Sequence, residues 1–171
     1  MSDIIISDVH VGSPYCNYEA FSHFLNALPG DSRLILNGDT VDNPTHHLSG
    51  KGEEAIGEIA QTSRRISDVV WIKGNHDAPT PPPPLQHIQH TSELTVGENL
   101  YVAHGHIFDE VMRRHRWFVN LFQLLHKTRI AMGAPPVHVA EYAKKWPRLF
   151  NILLRNVRSN AITKARAQGC L

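Results

Sequence analysis

Cysteine is nearly absent from this chain of 171 residues: Cys16 and Cys170 stand alone, outside any motif. That excludes a disulfide framework and a thiolate-built metal site, and a reducing compartment is the expectation. No stretch approaches the roughly 18 consecutive apolar residues of a membrane span. The N-terminus runs into an apolar strand at Ile4 without a basic region or a cleavage site. Neither a span nor a signal peptide is therefore expected, and the expected location is cytoplasmic. Internal repeats are missing, as is any base-reading motif, so nucleic acid is not an expected partner. Acidic residues are scarce in one half only. Residues 110–171 hold 12 Lys and Arg against 2 Asp and Glu, whereas residues 1–109 hold 5 against 14. The net charge of +1 conceals this split. It describes an acidic body that can hold cations and a basic flank that can meet an anion.

What is present begins with an apolar fraction of 42% against 19% charged residues, the balance of a soluble globular protein long enough to bury a core. Asp3 to Ser7 reads as a buried strand, Leu34 to Leu36 as a second and Val69 to Ile72 as a third. Amphipathic helices at 17–28 and 52–66 lie between them. The order βαβαβ argues for parallel strands with helical crossovers. Residues 78–84, Ala-Pro-Thr-Pro-Pro-Pro-Pro, form an extended connector. Glu93 to Val96 and Asn99 to Ala103 read as a hairpin around Gly97-Glu98. Beyond residue 110 the pattern turns helical: a long helix over 111–132 with an apolar face at 117–125, read as core, then a short helix at 138–145. Pro147 opens a last helix of about 148–167. The expected division is a catalytic core over 1–109 and a basic helical cap over 110–171.

Strand ends carry the chemistry. Asp8 and His10 follow the first strand, Gly38, Asp39 and Asp42 the second, Asn75, His76 and Asp77 the third, and His104 and His106 the hairpin. An aspartate after a strand is ordinarily a turn former, and a lone histidine ordinarily a polar surface residue. Carboxylate, carboxamide and imidazole groups repeated at successive strand ends instead suit hard and borderline divalent cations. Strands of one sheet deliver their ends to a common rim. A single carboxylate can bridge two ions ~3.5–4 Å apart, and Asp39 is the best placed to do so. His46 and His47 read as surface residues, with a phosphate-side contact as the alternative.

Asp8-Val-His10, Gly38-Asp39-Thr-Val-Asp42, Gly74-Asn75-His76-Asp77 and His104-Gly-His106 resemble, in order and spacing, the first four motifs of the calcineurin-like metallophosphoesterases. The resemblance implies an α/β fold, an αββα sandwich with a helical insertion, and two divalent ions, manganese first with iron or zinc as alternatives. It implies that Asp8, His10 and Asp39 hold one ion and Asp39, Asn75 and His104 the other. His76 would face the phosphate and assist the leaving oxygen, with Asp77 orienting it, while water activated between the ions attacks phosphorus in line. Asp42 and His106 would support the ligands rather than bind metal.

The family's last motif, Gly-His-x-His, is not found. The chain stops at Leu171, about where the strand leading into that motif would begin, so the final strands of the second sheet are expected to be missing. Each ion would lose one ligand, and weak metal binding with low activity is the expectation. The helical segment after residue 110 resembles the insertion of bacterial UDP-2,3-diacylglucosamine diphosphatases, although the best-known members carry arginine in place of His76. That resemblance implies a UDP-diacylglucosamine-like lipid nucleotide as substrate, with Arg148, Arg155 and Arg158 as candidate contacts and a peripheral membrane contact through the basic helices. The alternatives are a generic phosphomonoesterase or phosphodiesterase, and a non-catalytic binding protein of the same fold. The oligomeric state is not legible.

Overall fold

The computed structural model describes residues 2–42, 48, 50–110, 114, 121, 124–125, 128–129, 132–133 and 147–170, without the side chains of residues 148–150 and 153. It divides into two compact units, Met1–His106 and Ile107–Leu171.

In the first unit, β1 (Ser2–Ile6), β2 (Ser32–Asn37), β3 (Asp68–Ile72) and β4 (Gln89–Thr91) form a parallel sheet in the order β1-β2-β3-β4. Helices α1 (Tyr18–Ala27) and α2 (Lys51–Arg65) make the crossovers. A second, antiparallel sheet pairs β5 (Glu93–Val96) with β6 (Leu100–Ala103). Side chains alternate across a strand, so the apolar runs of β2 and β3 serve two cores at once. Leu34, Leu36, Val69 and Trp71 pack in the cluster that includes Phe21 and Leu25 of α1 and Ile56 and Ile59 of α2. Ile35, Val70 and Ile72 pack with Val96 and Val102 of the second sheet. Burying each such side chain is worth about 1.5–3 kcal/mol, which places the two central strands under the strongest constraint in the unit.

The helices are tied down locally. Asn17 caps α1 by accepting a hydrogen bond from the Ala20 amide at 3.1 Å, and Pro29-Gly30 follows its end. On α2, Glu53 and Glu54 lie in the first turn and Arg64 and Arg65 in the last, each sign at the favourable end of the helix dipole. Arg65 also donates to the carbonyls of Leu25 and Leu28, both at 2.5 Å, tying the end of α1 to α2.

Three expectations change. β1 is not a buried strand: it lies at the edge of the sheet, paired only with β2, and Ile5 is 39% exposed. The proline-rich connector contains a short 3-10 turn, Pro83–Leu85, and returns the chain to β4, which the sequence pattern did not reveal. In the second unit, Leu121, Leu124 and Leu125 are exposed rather than core. The remainder of that expected apolar face, including Trp117, Phe118 and Phe122, lies outside the described residues, as do His46 and His47 and the short helix at 138–145. The last helix, α3, spans Pro147–Ala167. Asn160 of α3 donates to the Phe108 carbonyl at 2.9 Å, within the second unit. No described helix is long and apolar enough to cross a membrane.

Candidate metal centre

The turns after β1 and β2 run side by side. Asp8 N donates to Gly38 O at 3.1 Å, His10 N to Asp39 O at 2.9 Å and Val11 N to Thr40 O at 2.9 Å. A parallel bridge between Val11 and Val41 then closes the pair. This ladder bends the backbone into left-handed conformations at Asp8 (φ 58°), His10 (φ 53°) and Asp39 (φ 50°). A residue with a Cβ gives up roughly 1–2 kcal/mol to adopt that conformation. Such strain collects where side chains must be aimed, and all the non-glycine residues with positive φ among the described residues are in this cluster.

The turn after β3 locks onto the same frame. Asp77, 6% exposed, accepts from Gly74 N at 2.7 Å with one carboxylate oxygen and from Val41 N at 2.9 Å with the other. The His76 amide donates to Asp39 Oδ1 at 2.9 Å. Two glycines permit the approach. A Cβ on Gly74 would lie 2.1 Å from the Asp39 amide nitrogen, and one on Gly38 would lie 2.4 Å from Cγ of His104. Neither position can hold another residue without moving a site group.

What converges is a carboxylate ringed by imidazoles. Asp39 Oδ2 lies 4.0 Å from His10 Nε2, 4.0 Å from His76 Nε2 and 3.7 Å from His104 Nε2. Asp8 Oδ1 lies 3.9 Å from His10 Nε2 and 3.6 Å from His104 Nε2. Asp8, His10 and Asp39 offer one grouping of ligand atoms compact enough for a cation, and His10, Asp42 and His76 offer another. Bonds of about 2.0–2.2 Å to one ion separate neighbouring ligand atoms by roughly 3–3.5 Å. The observed separations are slightly wider, and small side-chain rotations would close them. Oxygen and imidazole nitrogen are the donors that manganese, iron and zinc accept. The residues therefore fit divalent ions.

Other side chains hold the rings. Asp42 Oδ1 lies 2.6 Å from His76 Nδ1 and 3.6 Å from His10 Nδ1, turning both Nε2 atoms toward Asp39. The carboxylate that orients His76 is thus Asp42, whereas Asp77 is committed to backbone amides. His106 Nδ1 stands 2.8 Å from His104 Nδ1. A proton between these atoms leaves His104 Nε2 facing the carboxylates. Asn75 is exposed on the same turn, without a described bond into the cluster.

Charge follows the geometry. The His104 ring beside Asp8 holds that carboxyl down at about 2, against the opposing pull of burial, and the Ser7 hydroxyl adds to the lowering. Burial works against protonation of His104, but its contact with Asp8 and the charges of Asp39, Asp8 and Asp77 outweigh burial and raise its pKa. Burial, with the neighbouring His104, lowers that of His106. The pair is set to share a proton in one direction, from His104 to His106.

Several features had no local signal in the sequence. His104 reaches the site from the second sheet, not from the sheet that supplies the other ligands. The bond from Asp42 to His76 spans 34 positions, and the Ser7 hydroxyl contacts Asp8. Of the candidate substrate residues, Arg155 and Arg158 are exposed on α3, and the Arg148 side chain lies outside the described ones.

A parallel sheet backed by a second sheet, with carboxylates and imidazoles gathered at its strand ends, is the architecture of a metallophosphoesterase. The family model of calcineurin-like phosphoesterases matches residues 3–158, and the chain belongs to that family. Among solved structures, it is similar to Pseudomonas putida nuclease MPE, with 25% identity over 55% of this chain and 50% of that one, at a TM-score of 0.44. It is also similar to the phosphopantetheinyl hydrolase PptH of Mycobacterium tuberculosis, with 25% identity over 51% of this chain and 28% of that one, at a TM-score of 0.32. The chain thus spans half the length of the first and little over a quarter of the second. No curated protein matches it.

Proposed function

We propose that this chain carries out metal-dependent hydrolysis of a phosphoester or pyrophosphate bond. The observation that carries the reading is the Asp39 carboxylate, 4% exposed, with three imidazole Nε2 atoms at 3.7–4.0 Å around one oxygen. Asp8, His10, Asp39, Asn75 and His104 would hold two divalent ions, manganese first. Ions bound there supply Lewis acidity to the phosphate and lower the pKa of water. The protein's own part is positional. Asp42 fixes the His76 ring through Nδ1, leaving Nε2 on the inner side of the site as the atom that would hand a proton to the departing oxygen. Asp77 holds the turn that carries His76, and His106 sets the tautomer of His104. The test is hydrolysis of bis(p-nitrophenyl) phosphate by the full chain with added manganese. Turnover that disappears in Asp39→Asn supports the reading. Manganese bound without turnover of this diester, of p-nitrophenyl phosphate or of a lipid nucleotide would leave a metal-binding protein, not an enzyme.

A UDP-diacylglucosamine-like lipid nucleotide is the finer proposal. It is supported by α3, where Ile152 and Leu154 are 63% and 49% exposed beside exposed Arg155 and Arg158. Such a surface suits acyl chains with an anionic head, and equally an anionic bilayer surface. Release of UMP from the lipid nucleotide, reduced by Arg155→Glu together with Arg158→Glu, is the expected result. Equal turnover by wild type and the double variant would return the assignment to a generic phosphoesterase.

A further inference from the structure

A cavity of about 730 Å³ opens in the first unit on the helical side of the sheet, between α2, the proline-rich connector and β4. Its volume falls in the range of about 300–1,000 Å³ usual for small-ligand sites. Val41 and Ala78 form part of its wall, and they are next in sequence to Asp42 and Asp77 respectively, on the turns that carry the candidate metal centre. Ile56, Trp71 and the proline rings of residues 81–84 give the cavity flat apolar walls, with Thr80, Gln86 and His90 among the polar groups around them. Proline and indole faces pack well against a planar ring and poorly against a hydrated ion. Glu53 is the only charged side chain among the described lining residues, and no lysine or arginine accompanies it. His90, whose ring meets that of Trp71 edge-on at 6.4 Å, has its pKa lowered from the ordinary imidazole value, chiefly by burial. The cavity therefore does not suit a phosphate. The Trp71 indole, on a residue 2% exposed, contributes to its wall, while the Nε1–H is buried out of reach of solvent.

We infer that this proline-walled cavity receives an uncharged planar ring belonging to the organic group of the phosphoester, while the phosphate lies at the metal centre. The inference rests on the phosphoesterase reading above and adds the class of group that the site selects. It also gives the connector a role beyond linkage, since the stiff proline run keeps the cavity from collapsing onto α2.

Two arms test it. In the first, Thr80→Trp and Gln86→Trp narrow the cavity from exposed positions that lie outside the cluster of ligands. Both variants should lose at least about tenfold in kcat/KM toward p-nitrophenyl phosphate, the order expected when a pocket contact is lost, while turnover of ring-free acetyl phosphate stays within twofold. Equal loss on both substrates, or on neither, overturns the inference. The second arm needs no turnover: benzamide, a neutral planar ring, is titrated into the full chain and the indole N–H signals, which a ring stacked near Trp71 would shift, are followed by NMR, with Trp71 assigned through Trp71→Phe. The Trp71 signal should shift, the shift should be lost in Thr80→Trp, and anionic benzoate should not reproduce it. If neither ester is hydrolysed the phosphoesterase reading fails, and the benzamide titration alone then decides whether the cavity takes a ring. An unmoved Trp71 signal, or one that benzoate moves equally, overturns the proposal.

Discussion

Replacing Gly38 with alanine separates two demands that one glycine meets. The first is conformational. At φ 80° a Cβ is disfavoured, and the substitution should cost roughly 1–2 kcal/mol of folding stability. The second is spatial. The new Cβ would stand 2.4 Å from Cγ and 2.6 Å from Cδ2 of His104, whereas carbon atoms in contact rest at about 3.5–4.0 Å. The imidazole must retreat by roughly 1 Å, half the length of a bond of about 2.0–2.1 Å between histidine and metal. Affinity for manganese should then fall by more than the 10–100-fold typical of losing an outer support. Gly97→Ala is the control, because Gly97 has φ 59° but nothing within 4 Å of its Cβ position. It should lose roughly 1–2 kcal/mol from the same conformational term and bind metal as the wild type does. Urea unfolding in a chelator measures the first effect and calorimetric titration with manganese the second. If Gly38→Ala and Gly97→Ala bind manganese equally well, His104 is not a ligand held against Gly38.

Asp42→Asn keeps the shape of the side chain but removes the charge that holds His76 at 2.6 Å. Turnover should drop by about 10–100-fold with a smaller change in metal affinity, checked by kinetics at saturating manganese. His106→Phe should weaken manganese binding by removing the acceptor that fixes the tautomer of His104, and His106→Asn should restore part of it; identical affinities for the two variants would dismiss that role. The Asp8–His104 pair gives a pH signature in the metal-free protein. Asp8, lowered from 3.8 to about 2, stabilises above pH 3.8 and that contribution is lost as pH falls through about 2. His104, raised from 6.5, stabilises below pH 6.5 and its contribution is lost as pH rises through the folded value. Both act between 3.8 and 6.5, so the urea midpoint of wild type relative to His104→Gln should be highest there. Manganese affinity should run the other way, rising with pH above 6.5 as the proton leaves His104; a flat profile from pH 6 to 8 would contradict the shift.

The elements that carry the site were legible because each obeys a local rule. Apolar runs end at Gly38 and Gly74, acids and histidines follow, and helical periodicity fills the intervals. What stayed hidden depended on relations between distant segments. β4 has no apolar pattern of its own, Gln-His-Thr, and is a strand only because the edge of β3 pairs with it, with Lys73 N donating to Thr91 O at 2.8 Å beside it. Ile4 to Ile6 read like the centre of a sheet, since three isoleucines do not report which strand is last in the order. Among the candidate ligands, Asp8, His10 and Asp39 stand out as residue types at strand ends, but the left-handed backbone that aims them arises from the ladder between two turns. The division of labour between Asp42 and Asp77 is likewise tertiary. Both are acids after a glycine, and only the packed turns decide which one faces a ring and which one faces amides.

The carboxylate of Asp77, with one oxygen on the β3 turn and the other on the β2 turn, has a consequence for how ions come and go. Neither of these two turns can swing aside without breaking a buried bond to the other, so neither of them opens to admit an ion. Among the described residues, the way in is past side chains that can rotate in solvent. Asp8, Asn75 and His76 are exposed, while Asp39 and His104 are 4% and 8% exposed. Ions would enter and leave across the first three, with the last two as the fixed floor, and exchange rates should respond to substitutions at the entrance well before they respond to anything that loosens the fold.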